Sequence, residues 1–208
     1  MASQKTVGVL LFEGFELLDV FGPLEAWGVH AQASGTCTIV MTAEAAGAVK
    51  SAQGPRAMAD YALADCPPID VLLVPGGIGT RREVNNTKLL EWLVRRAAAA
   101  EIVTSVCTGA ALLARAALLD RHRATTNKLS FKWVTEQGSA VEWIKQARWV
   151  EDGKFATSSG VSAGIDMTLA LIAKLAGVET AEQVAIRMEY EWHRDPQWDP
   201  FAKIHGLI

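Results

Sequence analysis

Apolar residues fall along this chain in short runs, separated by stretches where they recur at helical spacing. Runs at residues 7–12, 37–42 and 71–74, and the run ending at Cys107, carry little polar alternation. Runs of that length suit strands buried on both faces of a parallel sheet. Between them, residues 16–33 read as a helix broken near its start by Gly22-Pro23. Asn86 or Thr87 is placed to cap a helix reaching residue 100. The Cys107 run leads into a helix extending to about residue 119, and residues 129–137 form another short one. Residues 49–62, which contain Gly54-Pro55, are expected to form a hairpin or edge strands. Residues 147–150 and 154–157 flank Glu151-Asp152-Gly153 as a second hairpin. Residues 162–176 form a helix ended by Gly177. Thr180 with Gln183 opens a last helix, capped box-fashion, that reaches about residue 192. The tail from Arg194 reads as irregular.

Strands alternating with helices predict an open, mostly parallel α/β sheet of flavodoxin-like type, helices on both faces, in one domain over residues 1–208. Ligands in such folds bind at the carboxyl ends of the strands. Glu13-Gly14-Phe15, Pro75-Gly76-Gly77 and the turn at Cys107 all fall at such ends, so the pattern predicts that they converge.

The turn at Cys107 carries the most chemistry. An apolar strand runs into it, and Thr108, Gly109, Ala110 and Ala111 let the backbone fold sharply behind it. This is the pattern of a nucleophile elbow. The positive end of the following helix is expected to favour thiolate over thiol. A buried structural cysteine fits the same segment.

Composition narrows the partners. Lys plus Arg is 20 against 23 for Asp plus Glu, a net charge of -3. That balance disfavours nucleic-acid binding. The three cysteines, Cys37, Cys66 and Cys107, match no zinc spacing, and no metal site is expected. Free thiols point to a reducing compartment. The first apolar run is too short for a signal sequence or a membrane span. A cytoplasmic protein with no membrane partner is expected.

A nucleophilic thiol needs a proton-transfer partner and a site for developing charge. Asp19, flanked by apolar residues early in a helix, is a candidate for the first. Burial raises a carboxyl pKa and suits it to proton shuttling. A helix-start carboxylate serving the macrodipole is the plainer alternative, for which Glu16 is equally eligible. The N–H groups of Gly76, Gly77 and Thr108 are candidates for an oxyanion hole, although Pro-Gly-Gly is also a common turn. Asn127, after Thr125-Thr126, can orient a substrate but cannot act as a base. The small-residue turn holding Gly160 and Val161 lets a helix N-terminus approach the pocket. Ser162 and Asp166 read as capping and packing residues. None of His30, His122, His193 and His205 falls in a turn expected to meet Cys107, and His122 reads as a solvated loop residue.

Five motifs in order carry a resemblance. They are Leu18-Asp19-Val20-Phe21-Gly22-Pro23, Val74-Pro75-Gly76-Gly77, Ser105-Val106-Cys107-Thr108-Gly109, Ala124-Thr125-Thr126 and Gly160-Val161-Ser162-Ala163-Gly164-Ile165-Asp166. Together they resemble the ThiJ/PfpI superfamily, of class I glutamine amidotransferase-like fold, over residues 7–176. Within it the chain is most similar to the isonitrile hydratase branch, which shares the Asp19, Cys-Thr-Gly and Ala-Gly-Ile-Asp features. The resemblance implies Cys107 as nucleophile, Asp19 as proton shuttle and Thr108 as support for the intermediate. It also implies a small-molecule substrate, no cofactor, and a homodimer. Relatives often carry His after Thr-Thr, where this chain has Asn127-Lys128. The Trp-rich end from Glu189 to Pro200 is tied to no activity. The competing readings are a glyoxalase- or deglycase-like enzyme acting on small α-oxoaldehydes, and a cysteine-based redox sensor. The sensory domain of an arabinose-regulator-type factor is disfavoured by the acidic balance and by the need for a C-terminal DNA-binding segment.

Overall fold

The computed structural model describes residues 4–208. In chain order the elements begin with β1 (Lys5–Leu10), α1 (Leu17–Ser34), β2 (Cys37–Ala43), β3 (Gly47–Lys50), β4 (Arg56–Ala59), β5 (Tyr61–Ala62) and β6 (Val71–Val74). There follow α2 (Thr80–Glu83), α3 (Thr87–Ala99), β7 (Ile102–Val106), a 3₁₀ turn (Cys107–Gly109) and α4 (Ala110–Arg115). Then come β8 (Arg123–Ala124), α5 (Phe131–Thr135), β9 (Glu142–Trp143), β10 (Trp149–Asp152) and β11 (Phe155–Ser158). The chain closes with α6 (Ala163–Ala176), α7 (Val178–Arg187) and α8 (Phe201–Ile204).

Seven strands form the main sheet in the order β10-β11-β7-β6-β1-β2-β5. All neighbours are parallel except β10 and β11. The central strands β6 and β7 are buried along their whole length, which explains their uninterrupted apolar runs. One layer packs α1 against α6 and α7; another packs α4 against α2, α3 and α5. From β1 the chain first builds toward β5 at one edge, then returns to β6 on the other side of β1. The strand order therefore reverses between β1 and β6. A crevice opens at the carboxyl ends of strands at such a reversal.

Three expectations about helices need correction. Helix α1 runs unbroken through Pro23. Proline there forfeits one hydrogen bond, and close packing holds the turn: a Cβ on Gly22 would meet Ile165 at 2.8 Å, and one on Gly164 would meet Pro23 at 3.2 Å. The helix behind Cys107 ends at Arg115, short of residue 119. The helix expected from Thr180 begins instead at Val178 and stops at Arg187, with Glu189 in the left-handed region at φ 48°. Thr180 lies inside its first turn and donates its hydroxyl to the Ala176 carbonyl, not to a cap. The hairpin β10–β11 and the cap of α3 by Asn86 form where the sequence places them.

Candidate active site

The three turns meet at the strand-order reversal. Glu16 N–H donates to the Gly76 carbonyl at 2.9 Å, and Gly79 N–H to the Gly14 carbonyl at 3.0 Å. Gly77 sits at φ +116°, and a Cβ there would lie 2.4 Å from the Gly14 carbonyl oxygen. Only glycine fits that approach.

Cys107 occupies the elbow. Val106 is extended, Cys107 turns to φ 56°, and the 3₁₀ turn begins. A non-glycine residue in the left-handed region costs about 1–2 kcal/mol. Two hydrogen bonds hold it there. Its N–H donates to the Ser159 carbonyl at 3.0 Å, and its carbonyl accepts from the Thr126 hydroxyl at 2.7 Å. Gly109 closes the turn, since a Cβ there would lie 2.3 Å from the Val74 carbonyl oxygen.

Asp19 points inward from the first turn of α1 and is 0% exposed. Its Oδ2 accepts the Gly76 N–H at 2.8 Å, while Oδ1 has no hydrogen-bond partner. Burial pushes this carboxyl well above the usual carboxylate range; the Gly76 N–H and the facing Cys107 thiol pull it partly back, and the Glu16 charge adds to the rise. Burial, then the Asp19 charge, pushes the Cys107 thiol well above its ordinary value, against hydrogen bonds from the Thr108 N–H and hydroxyl. The helix-end effect expected to favour thiolate is thus overridden. Cys107 is only 6% exposed, and α4 supplies just a short helix behind the 3₁₀ turn.

Thr108 ties the elbow to the glycine turn. Its hydroxyl accepts from Gly77 N–H at 3.0 Å and meets the Thr80 hydroxyl at 3.2 Å. The oxyanion role expected of Gly76 and Gly77 changes accordingly. Their N–H groups are engaged by Asp19 and Thr108, so in this arrangement they orient those side chains. Gly76 is also spatially required, because a Cβ would sit 2.5 Å from Thr108 N and 2.8 Å from Asp19 Oδ2.

Asn127, Gly160 and Val161 come together beside this centre. They line a pocket of about 220 Å³ with Leu129, Phe201 and His205. Asn127 Oδ1 accepts the Ser130 N–H at 2.9 Å, and its amide packs onto Gly160 so closely that a Cβ there would meet it at 2.1 Å. His205 enters this pocket from the tail, which sequence reasoning missed. His122 is also more than a loop residue: it approaches Asp152 at 3.4 Å and packs on Phe155.

Two buried ion pairs were missed as well. Asp166, expected to cap or pack, instead pairs with Arg148 at 2.5 Å and accepts from the Tyr190 hydroxyl and the His193 N–H. Lys128 pairs with Asp199 at 3.0 Å. The signal was present in Arg148, a charge flanked by Ala147 and Trp149, and in Lys128, directly after Thr125-Thr126-Asn127. Among the described residues no group of His, Cys, Asp and Glu is arranged to hold a metal ion, and no helix is long and apolar enough to cross a membrane.

The model of the DJ-1/PfpI family matches residues 5–174. The chain belongs to the DJ-1/PfpI family. Among members of known name, the chain is 35% identical over 184 residues to an isonitrile hydratase of Pseudomonas putida, covering 88% of this chain and 78% of that one. A ThiJ/PfpI family protein from Pseudomonas syringae superposes with a TM-score of 0.83 at 28% identity, covering 95% of this chain and 79% of that one. The HTH-type transcriptional regulator GbdR of Pseudomonas aeruginosa is 27% identical over 200 residues. That match takes in 94% of this chain and 53% of the regulator, so this DJ-1/PfpI chain spans about half the regulator's length.

Proposed function

We propose that this chain hydrates isonitriles to N-substituted formamides, using Cys107 as nucleophile and Asp19 as proton shuttle. One observation carries the reading. A fully buried carboxyl faces the thiol and keeps one oxygen, Oδ1, free of other partners. Both groups hold protons more tightly than usual. Together they are suited to keeping one proton, shared between carboxyl and thiol, and releasing it to a bound substrate as the sulfur attacks. The isonitrile hydratase relative supports the choice of substrate class.

The Cys107 sulfur bonds to the terminal carbon of R–N≡C. The proton on the thiol–carboxyl pair passes to that carbon, giving the thioimidate R–N=CH–S–Cys107. Asp19, now a carboxylate, takes a proton from water as the oxygen adds to the same carbon. The nitrogen is protonated, the C–S bond breaks, and R–NH–CHO leaves with the thiol restored. One water is consumed. Thr108 N–H and hydroxyl support the sulfur when it carries charge.

Formamide production from a panel of isonitriles, with methylglyoxal run beside it, tests the reading. Turnover of isonitriles, abolished in Cys107→Ala, supports it. Turnover of methylglyoxal alone would replace it with the α-oxoaldehyde reading. We further place the working unit as a homodimer. Leu18 and Phe21 are exposed on one face of α1, a spacing that makes an apolar patch. Sedimentation as a monomer at micromolar concentration would refute the dimer.

A further inference from the structure

We propose that residues 199–208 form the specificity wall of this site, and that Phe201 sets the size of the N-substituent the pocket accepts. The inference rests on the reading of Cys107 as the hydrating nucleophile and extends it to the substrate.

The pocket is built onto the elbow. Its inner wall comes from the segments holding Asn127 and Gly160. The flanking residue Thr126 bonds the Cys107 carbonyl, and Ser159, itself in the wall, bonds the Cys107 N–H. The pocket therefore borders both segments that hold the Cys107 backbone. Its surface is mostly apolar, and Val161, Leu129 and Phe201 are among the residues that line it. A cavity of about 150 Å³ holds benzene, so about 220 Å³ suits a substituent of one apolar ring.

The outer wall is fixed in place by Asp199. Its Oδ1 accepts the Phe201 N–H at 2.9 Å and so starts α8. Its Oδ2 pairs with Lys128 at 3.0 Å, both side chains about 1% exposed. Lys128 also donates to the Thr125 hydroxyl and to the Thr126 and Ala147 carbonyls. One carboxylate thus registers Phe201 against the residue next to Asn127. A buried ion pair is a weak source of stability but fixes geometry. Phe201 itself is 44% exposed, so the core does not depend on it. A large apolar side chain, rigidly mounted, half-exposed and facing a pocket beside a nucleophile, is placed to contact substrate.

The test uses two variants with opposite expected effects. The kcat/KM ratio for 2-naphthyl over methyl isonitrile should rise about tenfold in Phe201→Ala, which widens the pocket. It should fall about tenfold in Phe201→Trp, with most of both changes in KM. Alkylation of Cys107 by N-naphthylmaleimide against N-methylmaleimide, resolved by peptide mass spectrometry, gives the same ratio without turnover. Opposite shifts in the maleimide ratio, with no isonitrile hydrated by any form, would keep the wall and discard the isonitrile reading. Hydration of isonitriles with both ratios moving less than about twofold, or in one direction for both variants, would overturn the wall and leave the chemistry standing.

Discussion

Replacing Asp19 by Asn separates three consequences of one buried carboxyl. The side chain keeps its shape and can still accept the Gly76 N–H. It loses the exchangeable proton and the negative charge. Turnover should fall by about 10²–10⁴-fold, the usual contribution of a positioned acid–base, or about 3–5 kcal/mol of barrier. Thiol reactivity should move the other way. Like charges about 4 Å apart repel by about 4 kcal/mol at an effective dielectric near 20. The Asp19 charge is among the causes that hold the Cys107 thiol up. Relief of even a third of such a repulsion makes thiolate about tenfold more abundant at fixed pH. Maleimide labelling of Cys107 at pH 7 should therefore speed up by about tenfold. Stability should also change its pH dependence. The native carboxyl is pushed well above the ordinary 3.8. The native state thus binds that proton more tightly than the unfolded chain does. Its stabilising contribution is complete below the ordinary value and is lost as pH rises through the raised native one. Asn has no proton to lose, so the variant should escape that decline and be the more stable form at neutral pH. Urea melts from pH 4 to 8, labelling rates and formamide release make the three measurements. Slower turnover with unchanged or slower labelling would show that Asp19 does not act on the Cys107 sulfur, and the shuttle would fall.

Gly76→Ala should abolish activity and cost about 1–3 kcal/mol, because its Cβ meets Thr108 and Asp19 well inside contact distance; chemical denaturation and the hydration assay read the two effects. Cys107→Gly should be about 1 kcal/mol more stable than Cys107→Ala in urea melts, since only the glycine relieves the left-handed φ of 56°. Lys128→Met should cost about 3–5 kcal/mol by leaving Asp199 buried without its partner, and in hydrogen exchange the loss should appear first in residues 199–208.

Much of this arrangement was legible in the chain. Strands β6 and β7 announced themselves because burial on both faces removes polar positions altogether. The elbow was legible because Thr108-Gly109-Ala110-Ala111 leaves no bulk behind Cys107. Pro23 misled, since tertiary packing through Gly22 and Gly164 overrode a local helix breaker. The thiol's raised pKa was hidden because desolvation depends on what covers a group, and nothing local to Cys107 encodes the cover. The Lys128–Asp199 and Arg148–Asp166 pairs were hidden for a related reason: each joins segments distant along the chain, and spacing rules speak only of neighbours.

The hydrogen bonds that hold Cys107 in its elbow end on backbone atoms at Ser159 O and at Cys107's own carbonyl. The position of Cys107 is therefore set by the path of the main chain and by the Thr126 hydroxyl. Substitution at 127, 160 or 201 can redraw the pocket while leaving the thiol where it is. A scaffold of this kind lets new activities arise by changing the walls around a fixed attacking atom. Asn127, directly after Thr125-Thr126, is then one furnishing of such a frame.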